Sequence, residues 1–280
     1  MSSALTITTN ISSINAQRNL MRTGRSLNQA ITRLSSGLKI NSSADDAAGI
    51  AVSEGLRAQI RGFDQAIENA NDGIAILQTT EGSYNSISDL MIRMRELSVQ
   101  AANDSLTNKE RAYLNTEFED LTSELTRITD VAEYNGVKLL DGTAGDGAGA
   151  MVFQVGTRNT VNDQIGITLK DQDAAALGVD VLDLTNITNA QNAITAIDAG
   201  LDVLATDRAT LGSKINELTA AVDNLSITVE NLSTANSQIR DADIARESAA
   251  FTKANVLMQS GVSMLSQANT IPQMALKLLG

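Results

Sequence analysis

From Ile194 onward, apolar residues fall at Ile197, Leu201, Leu204, Leu211, Ile215, Leu218, Val222, Leu225, Val229, Leu232 and Ile239. The steps alternate between three and four, with Arg208 and Asn236 as polar exceptions. A heptad seam sustained this way predicts a helix of roughly 70 Å at 1.5 Å per residue. A helix that long with so narrow an apolar stripe must lie against partner helices.

Partners are legible upstream. Leu114, Phe118, Leu121, Leu125 and Ile128 repeat the four-three step, and so do Ile67, Ala70, Ile74, Leu77, Tyr84, Met91 and Met94. Leu20, Leu27, Ile31, Leu34 and Leu38 do the same near the start. Four long helices are predicted, at about 5–35, 44–100, 106–130 and 190–236, with a further one from about 240 to 270. The pattern changes between 135 and 190. Asn135-Gly136 signals a tight turn, and the stretch 141–150 (DGTAGDGAGA) is too glycine-rich for a helix, so it is expected to be a flexible, exposed loop around Gly145. Met151–Val155 and Ile165–Leu169 look like short strands. The predicted fold is mainly α: an elongated antiparallel helical bundle or coiled coil with a small β-rich tip around 136–189. If that tip is the far end, the two chain termini meet at the other.

Charge supports the same division. Residues 1–40 hold five basic residues (Arg18, Arg22, Arg25, Arg33, Lys39) and no acidic one, and residues 240–280 hold four basic and three acidic. The stretch between them carries 12 basic and 30 acidic residues, a balance of −18 within a net charge of −12. The ends are alike and differ from the middle. The expected domains are therefore 1–42 with 240–280, an inner coiled-coil assembly domain, and 43–239, an outer helical domain carrying the tip.

Composition narrows the function. Aromatic residues are 2% of the chain, Trp is absent and Pro272 is the sole proline, so burial has to come from many paired aliphatic side chains. With no His and no Cys, the commonest general base, the thiol nucleophile and the soft metal ligands are missing. No catalytic, metal or cofactor residue is expected, and the chain reads as a structural protein rather than an enzyme. The acidic balance argues against nucleic acid as partner. No segment has the ~20 apolar residues that would insert into a membrane, and the polar start MSSALTITTNISSINAQ lacks the apolar stretch of a cleavable signal peptide.

Three segments carry a specific likeness: Leu34–Ile60 (LSSGLKINSSADDAAGIAVSEGLRAQI), Arg93–Asn103 (RMRELSVQAAN) and Gln238–Leu279, which contains QIRDADIARESAAFTKANVLMQSG and LSQANTIPQMALKLL. Together these resemble bacterial flagellin over residues 1–142 and 190–280. The resemblance implies a subunit that polymerises into the hollow helical filament of the flagellum, outside the cell, after export without a cleaved signal. It also implies a set of partners: other copies of the chain, an export chaperone covering the MALKLL tail, the flagellar export apparatus, and hook-associated and cap proteins.

Gly37 reads as a helix stop, with Asn41 and the serines beyond it as N-cap chemistry and Asp45 and Asp46 in the first turn of the next helix. The amphipathic ends are poor in large aromatics and rich in Ala, Ser, Asn and Gln, so an isolated terminal helix is expected to be partly disordered until copies stack. The expected assembly seam comprises Ile11, Ile14, Leu20, Leu27, Ile31, Leu34, Val256, Leu265, Leu276, Leu278 and Leu279. By resemblance, Arg93, Leu97 and Glu117 form a surface for a neighbouring subunit or for a vertebrate innate receptor. Ile92 stands where receptor-active relatives usually have glutamine, which leaves that recognition open. Two other readings share the helical pattern: a hook–filament junction protein of the same family, which the C-terminal QANTIPQMALKLL disfavours, and an intracellular coiled-coil scaffold. A hydrolase would need a nucleophile set on a strained turn beside a base, and no motif provides one.

Overall fold

The computed structural model describes residues 9–279, the side chains of 271–279 excepted. Helices are α1 (Ile11–Ser36), α2 (Ala47–Ala101), α3 (Asn108–Val131), the single turn α4 (Ala144–Gly147), α5 (Ile187–Arg240) and α6 (Ile244–Leu279). Two small antiparallel sheets complete the chain. One pairs β1 (Glu133–Tyr134) with β2 (Val137–Lys138), and the other pairs β3 (Ala150–Gln154) with β4 (Gln164–Thr168). No helix among the described residues is long and apolar enough to cross a membrane.

The chain divides into two compact units, residues 1–58 with 231–280, and residues 59–230. In the second unit the core is a helix seam. Its deepest line on α2 is Ala66, Ala70, Gly73, Leu77, Thr80, Tyr84, Ile87, Met91, Met94, Ser98 and Ala101, an unbroken alternation of four and three. Ile67 and Ile74, expected at its centre, flank it half-buried. The glycines are where neighbours come closest. A Cβ on Gly73 would stand 3.0 Å from the Phe153 ring of β3, and one on Gly200 of α5 would stand 2.6 Å from the Met91 Cε.

On α5 the polar exception in the buried line is Asp207, not Arg208: the line runs Ala190, Ala193, Ile197, Gly200, Leu204, Asp207, Leu211, Leu218. A buried carboxylate needs partners, and Asp207 accepts from Lys170 Nζ at 2.7 Å and from Gln172 Nε2 at 2.8 Å. This fixes the segment after β4 to α5. Burial, followed by the Asp207 charge, pushes the phenol of the buried Tyr84 well above its ordinary range.

The two strands of the second sheet each start one residue earlier than predicted, in the register Ala150↔Thr168 to Gln154↔Gln164. The glycine-rich stretch is more ordered than its composition implies. Asp141 and Asp146 accept backbone N–H groups within it, Ala144 is fully buried, and Gly145 packs with positive φ against the Ala150 carbonyl. No side chain fits at Gly145.

The first unit is built from α1, α6, the start of α2 and the end of α5. Helix α1 starts at Ile11, where Asn10 caps it by accepting the Ser13 N–H; the expected start near residue 5 lies outside the described residues. Gly37 ends it in the left-handed conformation that only glycine adopts without strain, φ 71°, with its N–H on Arg33 O. Asp45 and Asp46 precede α2 instead of lying in its first turn. Asp46 caps it by accepting the Gly49 N–H, while Asp45 folds the turn before by accepting the Asn41 and Ser42 N–H groups. Those bonds hold the Asp45 carboxyl below its ordinary value.

Candidate assembly surfaces

Helices α1 and α6 pair antiparallel. Arg33 meets Glu247 at one end, with Nη1 to Oε1 at 3.1 Å, and Ser13 meets Asn269 at the other. The face α6 turns to α1 is a heptad: Glu247, Phe251, Ala254, Met258, Gly261, Leu265, Ala268. The facing line on α1 is Ala16, Leu20, Thr23, Leu27, Ala30, Leu34. At Gly261 the helices approach so closely that an added Cβ would fall 2.8 Å from Leu20 Cδ1.

The structure splits the predicted terminal seam in two. Leu20, Leu27, Leu34 and Leu265 come together inside the pair, half-buried. Ile11, Ile14, Ile31 and Val256 do not join them and are 62%, 45%, 46% and 57% exposed. Leu276, Leu278 and Leu279 lie outside the described side chains. The exposed set is larger than the sequence reading held, because Met21, Ile244, Leu257, Val262 and Met264 belong to it too.

What the pair buries deeply is small. Its buried apolar side chains among the described residues are Ala30, Ala254 and Ala268. Fixing one residue's backbone costs about 1–2 kcal/mol, whereas full burial of a large aliphatic side chain returns about 1.5–3 kcal/mol. An alanine seam flanked by half-buried leucines is a weak return for two long helices. Among the described residues, nine large apolar side chains along the same two helices still face solvent. One open groove of about 560 Å³, bordered by Ala16, Leu20, Leu257 and Met264, runs along the pair.

The same unit ties its connectors together. Lys39 N–H donates to Arg240 O at 2.7 Å and Ala242 N–H to Gly37 O at 2.9 Å, around a Leu38–Asp241 bridge. Arg240 Nη1 reaches Glu54 Oε1 at 2.9 Å, and the buried Ser53 donates to Asn236 Oδ1 at 2.7 Å. That last contact explains the polar break at Asn236 in the heptad. Arg57 and Arg240 hold the Glu54 carboxyl below its ordinary value.

In the second unit, Arg93 on α2 and Glu117 on α3 are brought together. Arg93 donates through Nε and Nη2 to Glu117 Oε1 at 3.0 and 2.7 Å, and through Nη1 to Glu96 at 3.0 Å. Ile92 and Val99 are exposed on the same helix. Leu97 is a correction: it points into the core at 1% exposure, so it is not part of the presented surface. It lies next to Ser98, the residue that the four-three step puts on the buried seam.

Two residues that organise these surfaces were missed by pattern reading. Arg111 is 4% exposed and closes the C-terminus of α2, donating to Ala101 O and Asn103 O at 2.8 Å each and to Asn108 Oδ1 at 3.0 Å. With Thr107 and Glu110 forming a capping box at the start of α3, this fixes the turn that sets Glu117 against Arg93. Asn10 is the other, and it crosses to α6. Arg111 lies one step before Leu114 on the apolar period of α3, where its charge hides it from a hydropathy reading, and the Asn10 position carries only a capping signal. Among the described residues no group of three or more His, Cys, Asp or Glu side chains could hold a metal ion.

Comparison with known proteins agrees on one family. Residues 7–145 match the bacterial flagellin N-terminal helical region and residues 194–279 the bacterial flagellin C-terminal helical region. The chain is similar to a flagellin of Halalkalibacterium halodurans, 42% identical over 96% of this chain and 98% of that one. It is 37% identical to the Bacillus subtilis flagellin and 37% identical to the flagellar filament 33 kDa core protein of Treponema phagedenis, in both cases over 96% of this chain and 98% of the relative. Among solved structures, Bacillus cereus flagellin covers 56% of this chain and 88% of its own, with a TM-score of 0.50 and 26% identity. A putative flagellar hook-associated protein from Vibrio parahaemolyticus, 17% identical, shares the fold with a TM-score of 0.59 over 70% of this chain and 100% of its own. The chain belongs to the bacterial flagellin family.

Proposed function

We propose that the chain is the structural subunit of a flagellar filament and that the α1–α6 pair is the part that polymerises. The observation that carries this reading is the pair itself: an alanine-lined seam inside, with Ile11, Ile14, Met21, Ile31, Ile244, Val256, Leu257, Val262 and Met264 exposed outside. Side chains of that size gain burial only from further copies, so ordering of the ends is completed by stacking. Residues 1–42 with 240–280 form the inner, assembling domain, and 43–239 the outer one. The tie between Gly37–Lys39 and Arg240–Ala242 supports a boundary there, because it clamps the chain where both connectors pass. The hook–filament junction reading is not favoured, since the relatives similar over nearly the whole chain are filament flagellins.

The protein acts outside the cell and performs no catalysis. It is exported without a cleaved signal, through the flagellar export apparatus, with a chaperone covering the apolar C-terminal tail. In place, it meets hook-associated and cap proteins at the filament ends. The Arg93–Glu117 pair serves contacts between neighbouring subunits, and an innate receptor of vertebrates is a second reader of that surface.

The test is nucleated polymerisation followed by electron microscopy. Wild type forms filaments with a central channel. A chain lacking 240–280 stays a folded helical monomer, and Leu27→Asp, which sets a charge in the inner seam, gives no filaments while leaving the core around Tyr84 and Phe118 folded. Normal filaments from either variant would refute the terminal mechanism.

A further inference from the structure

Helix α6 continues through Pro272 to Leu279. A proline has no amide hydrogen, so the carbonyl four residues before it, that of Ala268, loses its intrahelical donor. Ala268 is 9% exposed, and a carbonyl in so dry a place needs another partner. Asn10 supplies it: its Nδ2 donates to Ala268 O at 2.8 Å. The same carboxamide accepts the Ser13 N–H through Oδ1 at 3.1 Å, capping α1. Beside it, Ser13 Oγ donates to Asn269 Oδ1 at 2.8 Å. One side chain thus closes the beginning of one helix and the proline gap of the other.

We infer that Asn10 is the register-setting residue of the terminal helix pair, matched to the carbonyl that Pro272 frees. The reading rests on the assembly role proposed above. The pair needs such a device because its apolar seam is repetitive. Ala254, Gly261 and Ala268 recur every seven residues on α6, and Leu20, Leu27 and Leu34 every seven on α1. A slip of one heptad would bring an alanine against Leu20, where even a Cβ on Gly261 would stand 2.8 Å from Leu20 Cδ1. It would also carry the freed carbonyl away from Asn10. A single polar residue specifies register in other helix pairs for the same reason: only one alignment satisfies it.

The experiment uses the full chain in seeded polymerisation, reading the critical concentration. Asn10→Asp keeps a strong N-cap and places negative charge at the positive helix end, but it presents no donor to Ala268 O. Its critical concentration should rise about ten-fold or more, the usual consequence of stranding a buried carbonyl. Pro272→Ala restores the intrahelical donor and should stay near wild type. The double variant N10D/P272A should return to within about three-fold of P272A alone, because no alignment then strands a carbonyl and the close approach of Gly261 to Leu20 still disfavours the slipped one. A general weakening of the helix pair would not produce that rescue. N10D filaments at the wild-type critical concentration, or N10D and P272A effects that simply add, would overturn the assignment while leaving the assembly role intact. A wild-type chain that forms no filament would overturn both.

Discussion

Arg111→Met isolates the guanidinium that ends α2. Methionine retains much of the apolar stem and packs in a buried site at small cost, so what is lost is the set of three donors. Two of them satisfy Ala101 O and Asn103 O at 2.8 Å, at a helix end whose last turn has no basic residue of its own. A buried acceptor left unsatisfied costs about 1–3 kcal/mol. Partial hydration of the more peripheral Asn103 carbonyl recovers some of that, and removing the buried cation's own desolvation cost recovers more. The net expectation is a loss of about 2–4 kcal/mol in the unit formed by residues 59–230. The assay is urea unfolding followed by circular dichroism, with hydrogen exchange over residues 98–111 to localise the loss. Exchange should accelerate there first, and the Arg93–Glu117 pair should loosen with the turn that positions α3. A loss below about 1 kcal/mol with unchanged exchange would show that the two carbonyls are satisfied without Arg111, and the capping argument would fail.

Asp207→Ala strands the Gln172 amide and removes the Lys170 contact; it should lower the stability of the same unit by about 2–3 kcal/mol and raise hydrogen exchange in residues 164–172 specifically. Acid should weaken the unit formed by residues 1–58 and 231–280. Its Asp45 and Glu54 carboxyls titrate below their ordinary values of 3.8 and 4.5, so their contribution is present at neutral pH and lost as pH falls through the depressed folded values. Helix content tracked from pH 7 to pH 2 should hold until below about pH 4, and Glu54→Gln should flatten that acid limb; a limb unchanged by the substitution counts against it. A short Gly-Ser insertion between Asn159 and Thr160, both exposed, should leave folding and polymerisation intact, whereas the same insertion after Gly145 should destabilise the fold; equal tolerance at both sites would contradict the packing of Gly145 on the Ala150 carbonyl.

The long seams were legible because burial on a helix leaves a periodic mark. α2, α3 and α5 appear within a few residues of where four-three spacing sets them, and both strands of the second sheet are found one residue early. Errors arose where a polar residue occupies the buried line. Asp207 was passed over for Arg208 because hydropathy alone cannot tell which of two adjacent charges has partners at Lys170 and Gln172. Leu97 was assigned outward through likeness to a surface motif, although an apolar side chain three residues after Met94 and beside the seam position Ser98 can turn inward, as it does. The glycine-rich stretch was expected to be loose, whereas its aspartates tie it to its own backbone. Contacts such as Asn10 to Ala268, 258 residues apart, follow no local period and become visible only with the fold.

The two units stabilise themselves in opposite ways, and the difference follows from side-chain size. Residues 59–230 place Tyr84, Phe118, Leu77, Met91, Leu125 and Leu204 in a closed core and pair buried Asp207 and Asn115 from within, although Gln172 Oε1 stays without a partner among the described residues. The terminal pair does the reverse: the buried members of its contact line are alanines, its leucines, Phe251 and Met258 are half-buried, and many of its larger residues face outward. Leucine at Ala30 or Ala254 would force the helices apart at a seam where Gly261 already brings them close to Leu20. Small residues inside therefore permit close approach, and large residues outside leave most of the available hydrophobic stabilisation unrealised until another copy covers them. A pair with the two sets exchanged would gain more from folding alone and less from polymerising. The weak inner seam is thus part of the assembly device, and it is why a register contact as local as Asn10 to Ala268 matters to the polymer as a whole.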